Sequence, residues 1–133
     1  MPSALRNTIL MLLLAAVSSS AMAEWVKIGT SETDTLYFDP AIRWSDKNTS
    51  KMWTLNDFKV TQQVNEREAF KSAKMVHEYD CTGQQFRLLY YTSHTESMAE
   101  GNIVDFNVVP TEWLPVLPNT GQEELLKIAC GKA

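Results

Sequence analysis

Ala73-Lys74-Met75-Val76-His77-Glu78-Tyr79-Asp80-Cys81-Thr82-Gly83-Gln84-Gln85-Phe86-Arg87-Leu88-Leu89-Tyr90-Tyr91-Thr92-Ser93-His94-Thr95 is the stretch that decides the fold. Its first part alternates, with Ala73, Met75, His77, Tyr79 and Cys81 on one side and Lys74, Val76, Glu78 and Asp80 on the other. That is the period of a half-buried strand. Thr82-Gly83 signals a tight turn, and Gln85 to Thr95 reads as a second long strand, so residues 73–95 are expected to form the central hairpin of an antiparallel sheet. In a regular strand Phe86, Leu88 and Tyr90 share one side and Arg87, Leu89 and Tyr91 the other, which puts apolar groups on both.

Outward from this hairpin, short segments rich in β-branched and aromatic residues recur between turn signals. Trp25 to Ile28 is the first. Thr35 to Asp39 is the second, closed by Pro40, which has no ladder donor. Ile42 to Trp44 gives a short third, Ser45 to Ser50 a turn, and Lys51 to Lys59 a further strand in which Trp53 and Leu55 alternate with Met52 and Thr54. Thr61 to Lys71 is polar without alternation and reads as a long excursion with one helical turn around Glu66 to Phe70. After the hairpin comes a last strand, Ile103 to Val109. Pro110, Pro115 and Pro118 then keep Thr111 to Pro118 extended. Thr120-Gly121-Gln122-Glu123 is a capping box that opens a helix carrying Leu125, Leu126, Ile128, Ala129 and Cys130, with Gly131 as its stop.

The whole chain has 133 residues, 12 Lys plus Arg against 16 Asp plus Glu, 44% hydrophobic residues, two cysteines and two histidines. These proportions exclude collagen-like, coiled-coil and bulk-disordered chains. Residues 1–23 read as a signal peptide: Arg6 precedes an apolar run from Ile9 to Val17, followed by three serines and Ala21-Met22-Ala23. Cleavage is expected between Ala23 and Glu24, leaving residues 24–133 as a single exported domain. The apolar run is shorter than the roughly 20 residues a helical span needs, and no second one follows. Loss of Arg6 makes the exported chain one charge more acidic than the whole chain's −4. An acidic chain without basic clusters argues against nucleic acid and anionic membranes as partners.

Both cysteines, Cys81 and Cys130, lie in the exported part, and an even count there makes one disulfide the default reading. The competing reading, a redox or metal-binding thiol, has no Cys-x-x-Cys pair and no zinc-finger spacing to support it. If bridged, the pair staples the last helix to the strand that ends at Cys81. Glycines stand only at 29, 83, 101, 121 and 131, so there is neither a phosphate-cradling loop nor a Gly-x-Ser-x-Gly elbow. His77 and His94, with Glu78, Asp80 and Glu96 near them, are the sharpest candidates for metal or base chemistry. Strand alternation points Glu78 and Asp80 away from His77, and a cross-strand charge cluster of Lys74, Glu78, Asp80 and Arg87 is the plainer expectation. Trp53, Tyr90, Tyr91 and Trp113 are candidates for a binding surface or for the core.

Trp25-Val26-Lys27, Leu36-Tyr37-Phe38-Asp39-Pro40, Ser72-Ala73-Lys74, Glu78-Tyr79-Asp80-Cys81, Arg87-Leu88-Leu89, Glu112-Trp113 and Leu125-Leu126-Lys127-Ile128-Ala129-Cys130-Gly131, in that order, resemble the surface-adhesin E family of small exported Gram-negative proteins. The resemblance covers most of residues 24–133. It implies an α+β fold, a curved antiparallel sheet of about six strands with a C-terminal helix tethered by the Cys81–Cys130 disulfide. It also implies a non-enzymatic adhesion module without cofactor or metal, a surface homodimer that binds host matrix and serum proteins. That adhesin is a lipoprotein, whereas no cysteine stands at the Ala23/Glu24 site here. The expected location is therefore the periplasm, with secretion or the cell surface as alternatives. The second function class is a soluble periplasmic protein of envelope stress or of small-ligand or partner binding, with a hydrolytic enzyme of novel site as its remoter member.

Overall fold

The computed structural model describes residues 24–131. Eight strands form one antiparallel sheet: β1 (Val26–Thr30), β2 (Asp34–Phe38), β3 (Arg43–Trp44), β4 (Thr49–Gln63), β5 (Ala69–Asp80), β6 (Gln85–His94), β7 (Ile103–Asn107) and β8 (Leu114–Pro115). Six of them lie side by side in the order β1-β2-β4-β5-β6-β7, and the two-residue strands β3 and β8 add to β4 and β6. The expected sheet of about six strands is thus present, with two short additions. The hairpin predicted over 73–95 is β5 and β6. A 3-10 turn at Ser97–Ala99 and one helix, α1 (Gly121–Ala129), are the other regular elements among the described residues.

Partners across an antiparallel ladder share a face, and the register divides the sheet cleanly. Met52 lies opposite His77 and Ser50 opposite Tyr79, while Tyr79 in turn lies opposite Phe86. This face receives α1. Tyr79, Met52, Leu125, Leu126 and Ala129 are its buried centre, with Leu36, Phe38 and Phe86 packed around them. The Ser50 hydroxyl donates to the Ala129 carbonyl at 2.8 Å, so the last turn of the helix is satisfied by the sheet it sits on.

The helix begins where the capping box predicts. The Thr120 hydroxyl accepts from the Glu123 amide at 3.3 Å, and Glu123 returns a carboxylate oxygen to the Asn119 amide at 3.4 Å. Glu123 and Glu124 occupy its first turn and Lys127 its last, complementing the helix dipole. Gly131, at φ +69°, ends it in the left-handed conformation that glycine adopts without strain. Cys130 is bonded to Cys81 across a Cα–Cα distance of 5.8 Å. The default reading of the cysteines is correct, and the bridge fixes the end of α1 to the end of β5.

Two expectations fail. Thr61 to Lys71 is no excursion and has no helical turn: β4 runs to Gln63, β5 starts at Ala69, and Gln62 pairs with Phe70 beyond an irregularity after Asp57. Only Val64 to Glu68 turns, with the Asn65 side chain accepting from the Arg67 and Glu68 amides at 2.8 and 2.9 Å. This outer end of the hairpin has little cover, so its residues carry no apolar alternation for a pattern to reveal. Phe58 and Phe70, edge to face with ring centres 5.7 Å apart, hold it together. The second failure is in β6. Val76 lies opposite Tyr90 and His77 opposite Leu88, so Leu89 is an extra residue, a bulge. Beyond it every side chain changes face: Tyr90 joins Arg87, and Tyr91 joins Phe86 and Leu88.

Candidate functional site

The face away from α1 is where the chemistry gathers. Its side chains come in rows across the strands. One row is Arg43, Lys51, Glu78 and Arg87, and the next is Trp53, Val76 and Tyr90. A third is Tyr37, Leu55, Lys74 and Thr92. The Ser97–Ala99 turn folds over the far end of this face. The Met98 amide donates to the Asp57 carboxylate at 3.3 Å and the Ala99 amide to the Ser72 hydroxyl at 2.9 Å. Met98 and Ala99 both have positive φ, a strained pair held in place by those bonds. Of the first two rows, Arg43, Lys51 and Tyr90 stay exposed, while Glu78 and Val76 are buried among them.

Glu78 organises the charged row. It is buried, and one of its oxygens accepts from Arg87 Nε at 2.8 Å and lies 2.7 Å from the same guanidinium's second nitrogen. The other oxygen accepts from the Ser45 hydroxyl at 3.3 Å. The Arg87 guanidinium also stacks on Trp113, 4.7 Å from the ring centre. In the aromatic row Trp53 meets Tyr90 edge to face at 5.2 Å, and the Lys74 ammonium sits 5.1 Å from the Trp53 ring centre. Among the described residues, neither Arg43 nor Lys51 has a carboxylate within 4.0 Å. A cleft of about 570 Å³ opens here, between β3 and the middle of the sheet.

Of the expected cross-strand charge cluster, Glu78 and Arg87 meet as predicted. Lys74 goes to an aromatic ring instead, and Asp80 turns its carboxylate to the Thr82 and Gly83 amides of the hairpin turn. Trp53, Tyr90 and Trp113 do lie on one surface. Tyr91 lies on the other, its hydroxyl donating to Asp105 at 3.0 Å. Arg43 and Lys51 had no signal in the sequence, because only the pairing of β3 with β4 sets them side by side. Ala23 lies outside the described residues, and Glu24 is the first of them.

The histidines do not make a joint site. His77 faces the helix side, its Nδ1 3.2 Å from the Thr54 hydroxyl, and His94 lies on the other face, its Nε2 2.8 Å from the Thr92 hydroxyl. Among the described residues no group of three His, Cys, Asp or Glu side chains is placed to hold a metal ion. Burial depresses both imidazoles, with Lys74 adding to the effect on His94, and His77 is brought to about 4 from an ordinary 6.5. The unfolded chain therefore takes up a proton near pH 6.5 that folded His77 accepts only near pH 4. Its contribution is complete above pH 6.5 and is lost as pH falls from 6.5 to 4, by about 3 kcal/mol. Urea unfolding at pH 7 and pH 4.5 should show this loss, and a His77→Phe variant should lose less stability over the same interval.

No helix among the described residues is long and apolar enough to cross a membrane. No curated protein matches the chain. Among solved structures, crystal form II of Haemophilus influenzae protein E is similar with a TM-score of 0.61 at 14% identity, over 80% of this chain and 96% of that one. A second structure of Haemophilus influenzae protein E gives 0.60 at 13% identity, over 79% and 83%. These likenesses establish the fold: an open antiparallel sheet backed by one terminal helix. The model of the family described as Surface-adhesin protein E matches residues 25–131, all eight strands and the helix, and the chain belongs to that family.

Proposed function

We propose that the protein is an exported, non-enzymatic adhesion module that contacts host matrix and serum proteins through the β7 edge of its sheet. The observation that carries this reading is the character of that edge. β7 is hydrogen-bonded to β6 on one side only, and Ile103, Phe106, Val108 and Val109 are between 55% and 70% exposed along it and just beyond. An uncovered edge strand bearing apolar side chains is a template for strand addition by another chain. The same edge would serve a homodimer, a second copy pairing with the first. Family membership supports adhesion over catalysis.

Immobilised laminin and vitronectin, read beside an unrelated acidic protein, test the proposal. Saturable binding that falls at least about tenfold in a Phe106→Asp, Val108→Asp variant is the expected result. Binding no stronger than to the control protein, or unaffected by the two charges, overturns it. One observation favours a second reading, a soluble periplasmic protein of envelope stress or of small-ligand or partner binding: a cleft of about 570 Å³ on the open face of the sheet. Protease shaving of intact cells, compared with osmotic-shock fractions, separates the two. Surface cleavage supports adhesion, and release only with the periplasm supports the second.

A further inference from the structure

We propose that the open face of the sheet holds a binding cleft for an acidic saccharide, the sugar carboxylate taken by Arg43 and Lys51 and the ring laid against Trp53 and Tyr90. The cleft lies over the first two rows and is lined by no residue of β7, and the proposal does not rest on how that edge is used. Its volume, about 570 Å³, is in the range of clefts that take small ligands. Arg43 and Lys51 stand opposite each other on β3 and β4, both exposed. The one carboxylate in their row, Glu78, is already engaged by Arg87 and Ser45. Two positive charges are thus left without a local partner in a chain whose net charge is −4. Such a pair of donors suits a carboxylate.

The neighbouring row decides what carries that carboxylate. Trp53 and Tyr90 meet edge to face, Val76 lies between them in the register, and Tyr90 remains 37% exposed. A free anion such as phosphate would use the cations and leave the aromatic surface wet. A wholly apolar ring would use the aromatic surface and leave the cations unpaired. A carboxylated sugar ring matches both, with its C–H face on the aromatic side chains, its hydroxyls on the polar rim and its charge on the Arg43–Lys51 pair. An acidic peptide offers the charge without the ring.

Titration of the protein with a tetrasaccharide of alternating glucuronic acid and N-acetylglucosamine, followed by tryptophan fluorescence and calorimetry, tests the proposal. Saturable binding is expected. It should weaken at least about tenfold for the same tetrasaccharide with its carboxyl groups reduced, and by a similar factor in Arg43→Gln, Lys51→Gln and in Tyr90→Ala variants. Both cations are exposed and unpaired, so the double variant should unfold at the same urea concentration as the parent. A Phe106→Asp variant should bind the tetrasaccharide unchanged, which separates this site from the β7 edge. The proposal is overturned by no saturation up to about 10 mM, by equal binding of the reduced sugar, by equal or tighter binding of hexaglutamate or inorganic phosphate, or by unaltered binding in Arg43→Gln, Lys51→Gln.

Discussion

Replacing Cys81 and Cys130 together with alanine is expected to lower the unfolding free energy by about 4 kcal/mol. The bridge joins residues 49 apart in sequence, and opening it restores to the unfolded chain the freedom of a loop of that length. The size of the loss follows from the loop length, and where the bridge sits decides which element it holds. α1 has nine residues, too few to persist without tertiary support, and its last carbonyls are met by Ser50 of β4 and by the Gly131 turn. Releasing Cys130 removes the covalent half of that attachment and leaves Leu125, Leu126 and Ala129 to hold the helix alone. Urea unfolding with and without reductant measures the effect. A change in midpoint at constant slope would place it on stability, and a shallower slope would mean that the helix detaches before the sheet unfolds. A loss below about 1 kcal/mol would overturn the loop-entropy account of the bridge.

The residues that announce this architecture do so through local patterns. β5 shows alternation because its end lies under α1 at Tyr79 on one face, while Lys74, Glu78 and Asp80 put charge on the other. α1 shows its start because Thr120 and Glu123 satisfy amides within one turn, a matter of four residues. Features that depend on pairing between distant segments leave no such mark. The bulge at Leu89 costs the ladder one partner and reassigns Tyr90 from the helix side to the open face, yet Leu88-Leu89-Tyr90-Tyr91 reads as uniform strand. The extension of β4 to Gln63 is held by backbone bonds and by Phe58 against Phe70, with charged residues on its turn, so composition mimics a loop there.

The open face illustrates the same limit in functional terms. Arg43, Lys51, Glu78 and Arg87 come from four strands and become one row only through three registers. An acidic chain without a basic run in sequence can therefore carry a basic row in space. Glu78 and Arg87 were legible as partners because a tight hairpin turn fixes their register from a short range. Arg43 lies on a two-residue strand whose pairing to β4 is set by the Ser45–Thr49 turn, in which the Ser45 amide donates to the Thr49 carbonyl at 2.8 Å. Moving that turn by one residue would send Arg43 to the other face and dissolve the row.

Tyr79→Ala should cost about 3 to 5 kcal/mol, the range for removing a fully buried aromatic side chain. Tyr79 has no exposed surface and lies opposite both Ser50 and Phe86, at the point where α1 crosses the sheet. Its ring lies 5.9 Å from that of His77 and 6.5 Å from that of Phe86. Burial pushes its phenol above the ordinary range, so the hydroxyl stays a neutral donor, and it reaches the Gln122 side chain at 3.1 Å in the first turn of the helix. Tyr79 thus grips the start of α1 while Cys81, just past the end of the same strand, holds its end. Tyr79→Phe, which removes the hydrogen bond alone, should cost about 1 kcal/mol. The two attachments act on one helix, so their losses should not add: in a Cys81→Ala, Cys130→Ala background Tyr79→Ala should cost measurably less than in the parent. Full additivity in this double-mutant cycle would mean that sheet and helix are stabilised independently, and the bridge would then act on the unfolded chain alone.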